Sequence, residues 1–501
     1  MTRSAAKLSL KGRLIFLLKD SILYGFATAL SRAVSLITFP LLSRHFSVSE
    51  YGIIDYLAVI ANMFAILFIF GQDSAVARYF YEHQDRDKRR QIISQSLSFQ
   101  LLLLIIFAPL IWMFAGEISA FIKLGSHATE LFQIIALQIP FLLIFNFSQN
   151  ILKISFARNS FLFITLGAVI TQATLIVLSI LYLDASIKII LTAALITYAL
   201  FAVVGLVFIR EWLVMPNDFS LLKRMMPYAI PYGFLCLLLA LMPTIERGLT
   251  NSLLGADDLG LYAAGAKAAL LMGIIISAFQ VAWEPFALSI HKESNATETY
   301  AYVLKIYVFC VCVVTLLLST FAEPLIILLA STRYQEAAIV VFPLAMGLAI
   351  TSTAWITKVG LDISMQSHFN LFANIAAIIL SLFSIWILAP ILGLLGVAIG
   401  VMLGQSSHAA FVYWFAQQAY RIHWPIGLVC ILIGTTIFFG LATTIVRNQG
   451  FNILPWVILI IGLSTLAAAG WRVVLSLPER EALLRDTLGK IMALSQSRKT
   501  R

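Results

Sequence analysis

The chain has 501 residues, 61% of them hydrophobic and 12% charged, with a formal net charge of +10. A soluble domain averages about 25% charged residues, so this chain lacks the polar side chains to cover a water-facing surface, and its main solvent must be lipid. The basic residues lie in short segments between apolar runs and at the two ends, which argues against nucleic acid as a partner and fits a membrane protein with basic cytoplasmic loops.

A membrane-spanning helix needs roughly 20 mostly apolar residues. After a basic arm, 1–19, such stretches fall near 20–42, 51–71, 92–115, 130–152, 161–183 and 189–209. The first has no small-residue cleavage site at its end and reads as a retained helix, not a signal peptide. Six more follow near 227–253, 258–287, 301–322, 337–357, 369–389 and 391–415, and a final pair near 426–446 and 452–474. No Asp, Glu, Lys or Arg occurs in the 58 residues between Asp362 and Arg421. That run is too long for one span and right for two, with Ala389-Pro390 and Gly393 marking the break. Pro324 to Ala330 is too short to cross and reads as a loop or interfacial turn. In the tail, 475–501, Ser476-Leu477-Pro478-Glu479 fits a capping box, and Leu484, Leu488 and Ile491 share a helical face. A short amphipathic helix on the cytoplasmic surface is expected there.

The expected fold is therefore an all-α polytopic membrane protein of about fourteen helices. It divides into 20–209, 227–415 and the pair 426–474. An even number of spans puts both termini on one side. Counting Arg472 with the tail, that side holds 25 Lys and Arg against six on the other, with three inside spans, so both ends are expected in the cytoplasm. Glu50-Tyr51-Gly52 opens span 2, and Asp258-Leu259-Gly260 opens span 8, 208 residues later. Six spans separate them, so the halves share one orientation, a parallel repeat about an axis along the membrane normal.

Charge inside a bilayer is costly, roughly 2.5–3.5 kcal/mol per residue at a helix centre on insertion scales, and marks functional candidates. Arg32 lies roughly 18 Å into span 1 and Lys267 roughly 13 Å into span 8. Neither has an acidic residue at i±3 or i±4. Such cations suit an anionic cargo such as a phosphate. Glu246 and Arg247 near the outer end of span 7 complete the candidate substrate-binding set. Asp55, Glu284, Lys358 and Asp362 are candidates for coupling or gating. For Asp55, Glu284, Glu246 and Arg247, which lie near interfaces, a structural ion pair competes with a ligand role. Span 7 also carries Pro227, Pro231 and Pro243. Proline bends helices, and bent helices often mark moving parts of transporters. Cys236, Cys310, Cys312 and Cys430 lie in apolar runs without metal spacing. No catalytic motif and no nucleotide-binding loop occurs, so neither an enzyme nor an ATP-driven pump is expected.

Three sets of residues resemble a known family. Leu30-Ser31-Arg32 with Pro40-Leu41-Leu42-Ser43-Arg44 and Glu50-Tyr51-Gly52 is similar to the opening of polysaccharide flippases, in the superfamily of the multidrug and toxin extrusion proteins and the lipid II flippase. Glu246-Arg247 resembles that family's Asp-Arg pair, and Gly260-Leu261-Tyr262, Gly265 and Lys267 follow as they do there, with Gly265 where Ala is usual. Asn374 with Gly393-Leu394-Leu395-Gly396-Val397-Ala398 resembles an Asn-bearing helix and a Gly-x-x-Gly-Ala-Ala turn. The resemblance implies two six-helix lobes around a central cavity plus two extra helices, in a cell inner (plasma) membrane. It implies alternating access, driven by a proton or sodium gradient and using no cofactor. The cargo it implies is an oligosaccharide on a polyprenyl pyrophosphate, in lipopolysaccharide or other surface polysaccharide synthesis. The partners it implies are membrane lipids, a polysaccharide polymerase and chain-length proteins. A lipid II flippase or an ion-coupled multidrug exporter of the same fold remains the alternative. A membrane-embedded glycosyltransferase should carry a large outer loop, and none is present.

Overall fold

The computed structural model describes residues 38–124, 128–290, 293, 296–364, 366, 368–448 and 453–473. Arg32, most of the first expected span and the tail 475–501 lie outside them. Residues 38–45 are helical. The first lobe then contains α1 (Val48–Ile69), α2 (Gln72–Glu82), α3 (Arg86–Met113), α4 (Ala115–Phe121), α5 (Ala128–Ile154), α6 (Arg158–Tyr182) and α7 (Ile187–Ile209). The second contains α8 (Ser220–Leu253), α9 (Ala256–Ile290), α10 (Ala296–Leu329), α11 (Ala338–Thr357), α12 (Val359–Ile363), α13 (His368–Leu392) and α14 (Leu394–Ala419). A closing pair, α15 (Ile426–Asn448) and α16 (Leu454–Val473), packs against α10. Among the described residues, twelve helical segments are long and apolar enough to cross a membrane, and α16 contributes a shorter apolar helix. The chain is a multi-pass, all-α membrane protein.

Each lobe has its own core. Leu57, Phe68, Ile92, Phe132, Ile135 and Ile139 fill the first. Met272, Val308, Val340, Ile356 and Val397 fill the second, which also takes in Phe39 and Tyr51 from the first half of the chain and Leu459 and Leu466 from α16. Large apolar side chains such as Ile105, Phe163, Ile379 and Phe438 remain exposed on the outside of the bundle. In water they would form an aggregating patch; against acyl chains they are in their preferred solvent.

Two expectations about helix ends are corrected. The run Pro324 to Ala330 does not leave the helix, because α10 continues through Pro324 to Leu329. A proline orphans the carbonyl four residues back, here Thr320. Arg447 of α15 donates to the carbonyls of Thr320 and Ser319, so the freed oxygen keeps a partner and the helix need not break. Likewise α13 runs through Pro390, and the break falls at Gly393, whose φ of 57° lies in the left-handed region. Between the second and third expected spans, where no helix is expected, lies the helix α2. Pro227, Pro231 and Pro243 all sit inside the continuous helix α8.

The lobes meet where α1 packs against α8 and α9. A Cβ on Gly52 would lie 2.6 Å from the amide nitrogen of Gly260, and a Cβ on Gly260 would lie 1.9 Å from the carbonyl oxygen of Val48. The two glycines of the 208-residue repeat therefore touch each other across the lobe boundary, at a crossing that no larger residue permits.

Candidate functional site

The crossing of α1 and α9 decides which charges meet. Ser47 and Glu50 close a capping box at the start of α1. Tyr51, buried, follows, and Asp55 lies one turn further along, 6% exposed. Because Gly52 and Gly260 bring the backbones together, a residue one turn past Gly52 can reach a residue two turns past Gly260. Asp55 Oδ1 lies 3.2 Å from Lys267 Nζ. Its other oxygen, Oδ2, accepts from Arg247 Nε of α8 at 2.7 Å. One carboxylate of the first lobe thus holds two cations of the second.

Arg247 is further fixed by donation from Nη1 to the Pro243 carbonyl at 3.2 Å. Its guanidinium carbon stands 5.8 Å from the Tyr262 ring. Adjacent residues on a helix point apart, and Glu246 takes a different partner: its Oε2 accepts from the Tyr262 hydroxyl at 2.8 Å. The turn beyond, Asn251 donates to the carbonyls of Ile122 and Lys123, which ties the end of α8 to the first lobe near α4.

The structure therefore brings Asp55, Glu246 and Arg247, all buried, and Lys267, a quarter exposed, into one cluster. It separates Lys358 and Asp362, which lie toward the other end of the bundle, 3.8 Å apart, with the Lys358 ammonium over the Trp355 ring at 4.6 Å. Position 284 falls in α9, but the Glu284 side chain, like Arg32, lies outside the description. The sequence reading treated Lys267 as a cation without an acidic partner, and that is corrected. The i±3 and i±4 test sees only a residue's own helix, whereas Asp55 arrives from another. Tyr262 was visible only as part of a motif, and nothing in the linear order identified it as the partner of Glu246. Among the described residues no group of His, Cys, Asp and Glu could hold a metal ion.

A bundle of this form, with charged side chains gathered where its two halves meet, defines a class, the multi-pass all-α membrane proteins. The fold matches the lipid II flippase MurJ in an inward closed conformation, with a TM-score of 0.66 at 16% identity over 90% of this chain and 99% of that one. It also matches an inward-facing multidrug resistance MATE transporter of the MOP superfamily, with a TM-score of 0.64 at 16% identity over 77% and 94%. Two sequences from Haemophilus influenzae are similar: an uncharacterised membrane protein, 24% identical over 56% of this chain and 67% of its own length, and Lsg locus putative protein 1, 24% identical over 55% and 67%. The polysaccharide biosynthesis protein family matches residues 17–291, more than half of the chain, and the chain belongs to that family.

Proposed function

We propose that this protein flips a polyprenyl-pyrophosphate-linked oligosaccharide from the cytoplasmic to the outer leaflet of a cell inner membrane, with both termini in the cytoplasm. The observation that carries the reading is the sharing of Asp55 between Arg247 and Lys267. Separating the lobes at this end leaves the buried Arg247 and the partly exposed Lys267 without their carboxylate, and a pyrophosphate is the ligand chemistry that would replace it. The cluster is thus a latch whose charge the substrate can take over. An anion that binds the parted state better than the latched one shifts the balance between them. Arg32, which the sequence places deep in span 1, is proposed to meet the same pyrophosphate from the first lobe. Protonating Asp55 would also release both cations, which offers a proton gradient a point of entry.

A multidrug exporter of cationic compounds is disfavoured by the same geometry, because opening the latch presents Arg247 and Lys267 to the cargo. The lipid II flippase reading shares the pyrophosphate. Membership of the polysaccharide biosynthesis family supports the polysaccharide branch, and with it a polysaccharide polymerase and chain-length proteins as partners. The test is surface polysaccharide in cells that depend on this chain, with membrane abundance checked by blot. Arg32→Ala, Arg247→Ala and Lys267→Ala should each abolish export, and Arg32→Lys should restore part of it, since Lys keeps the charge and loses the bidentate fork. Full export by all three alanine variants at normal abundance would overturn the reading.

A further inference from the structure

A cavity of about 630 Å³ opens at the same end of the bundle as the latch, between α10, the 3-10 segment Thr332–Ala337, α11, α15 and α16. Its size suits a small-molecule ligand, for which sites of about 300–1,000 Å³ are typical. Its lining is polar and of both signs: Glu323, Glu336, Arg333, Gln335 and Arg447, with the indole of Trp456 among them. Arg447 is already committed. Its Nε lies 3.4 Å from Glu323 Oε2 and its two terminal nitrogens donate to backbone carbonyls of α10. Gln335 Nε2 donates to Glu323 Oε1 at 2.6 Å, which leaves the amide oxygen as an acceptor. With Arg447 tied down and two carboxylates in the wall against the one remaining cation, Arg333, the cavity is poorly made for a phosphate. Carboxylate and amide oxygens that accept from hydroxyl groups, beside an indole 42% exposed and braced edge-on by Phe321, are the chemistry that holds a sugar: ring C–H faces lie on the aromatic surface and hydroxyls on the acceptors.

The cavity is also joined to the latch. Tyr334, in the same 3-10 segment, turns away from it, donates to the Ser47 carbonyl at 3.4 Å and packs on Tyr51 and Phe39. Arg44 donates to the carbonyls of Leu328 and Ala330 at the end of α10. The wall of the cavity is thus continuous with the start of α1, about two turns before Asp55. We propose that this cavity is an outer-face saccharide site that receives the sugar portion of the lipid-linked oligosaccharide as the lobes part, so that α15 and α16, outside the two-lobe repeat, supply the cargo's sugar contact. The site rests on the flippase reading for the identity of its ligand.

The test uses the full chain in lipid nanodiscs and saturation-transfer NMR. The probe is the lipid-free oligosaccharide released by mild acid from the cells' own polyprenyl-linked repeat unit. The wild type should show saturation transfer to the sugar. Glu336→Gln, which keeps size and shape, and Trp456→Ala should each weaken it about tenfold, with unchanged thermal unfolding of Glu336→Gln as the check on folding. Polyprenyl pyrophosphate without sugar should not compete. Unchanged binding in both variants, or competition by the sugar-free carrier, would place the sugar elsewhere and overturn the proposal. Absence of binding by a wild type that still supports export would sink the cavity and leave the flippase reading standing. Saccharide binding that follows Glu336 and Trp456 in a chain whose loss leaves export intact would do the reverse.

Discussion

The boundary between the lobes is held in two different ways at its two ends. Near Asp55 an ionic contact is added to the Gly52–Gly260 backbone crossing: a carboxylate of α1 spans the gap to Arg247 and Lys267. At the far end of α1 the contact is made by backbone. Phe70 and Gly71 both adopt left-handed conformations, and a Cβ on Gly71 would stand 2.3 Å from the Ala229 carbonyl oxygen and 2.5 Å from the Gly233 nitrogen. Around that contact Tyr79 donates to the Arg224 carbonyl at 2.7 Å, and Arg78 lies 4.6 Å over the Tyr228 ring. An ionic latch can be exchanged for a charged substrate. A backbone contact can only be parted by moving the helix. Under the proposed flipping mechanism the two ends of one helix would have separate work: Asp55 would sense charge, and Phe70-Gly71 would act as a pivot or a seal.

The largest effect expected is at the ionic end. Asp55→Asn leaves the buried Arg247 and the partly exposed Lys267 without a counter-charge, and removing one partner of a buried pair such as Asp55–Arg247 typically costs about 3–5 kcal/mol. The purified variant should melt well below the wild type, and export should be lost. The comparison predicts that the cost comes from the stranded cations and not from the missing carboxylate itself. Asp55→Asn combined with Lys267→Met should thus recover much of the melting temperature while export stays absent. A double variant as unstable as the single one would break the latch description.

The backbone end should respond to shape and not to charge. Gly71→Ala adds a methyl group against backbone that cannot yield and forces a non-glycine residue into the left-handed region. Overpacking typically costs about 1–3 kcal/mol. The melting temperature should fall to the same degree at low and high salt, whereas any loss at the exposed rim of the ionic end should vary with salt. Gly260→Ala, at the ionic end but in the same kind of backbone crossing, should behave like Gly71→Ala. A melting temperature unchanged by either substitution would show that the helices can slide apart and that glycine is not what closes them.

Most of the spans are legible in the linear order because bilayer crossing demands long uncharged runs, and the stretch from Asp362 to Arg421 could hardly be read otherwise. What was missed has a common cause. The helix α2 is short and carries Asp73, Arg78 and Glu82, so hydropathy passes over it. Pro324 reads as a stop because its rescue comes from Arg447, more than a hundred residues away. The same holds at the site. Lys267 stands out as a charge in an apolar run, and the repeat Gly52 and Gly260 stands out by its offset, yet nothing in their order says that these glycines touch. Once they do, the meeting of Asp55 with Lys267 follows from counting turns.

The smallest effect separates the two carboxylates of the cluster. Glu246 accepts from the Tyr262 hydroxyl and not from either cation, so its hydrogen bond can be removed without touching the latch. Tyr262→Phe removes the donor and keeps the ring beside Arg247. A single hydrogen bond is worth about 0.5–1.5 kcal/mol net, and more when the remaining partner is a buried charged group. Glu246→Gln keeps size, shape and the acceptor oxygen facing Tyr262, so its melting temperature should stay near that of the wild type while Tyr262→Phe falls by a few degrees. Both variants leave Asp55, Arg247 and Lys267 in place, and both should retain a working latch. If Glu246 is only a brace for α9 against α8, export by Glu246→Gln should match the wild type at every external pH tested. If export by Glu246→Gln loses a pH dependence that the wild type shows, the second carboxylate also handles protons, and the ionic end of the boundary has two charge-sensing groups where the backbone end has none.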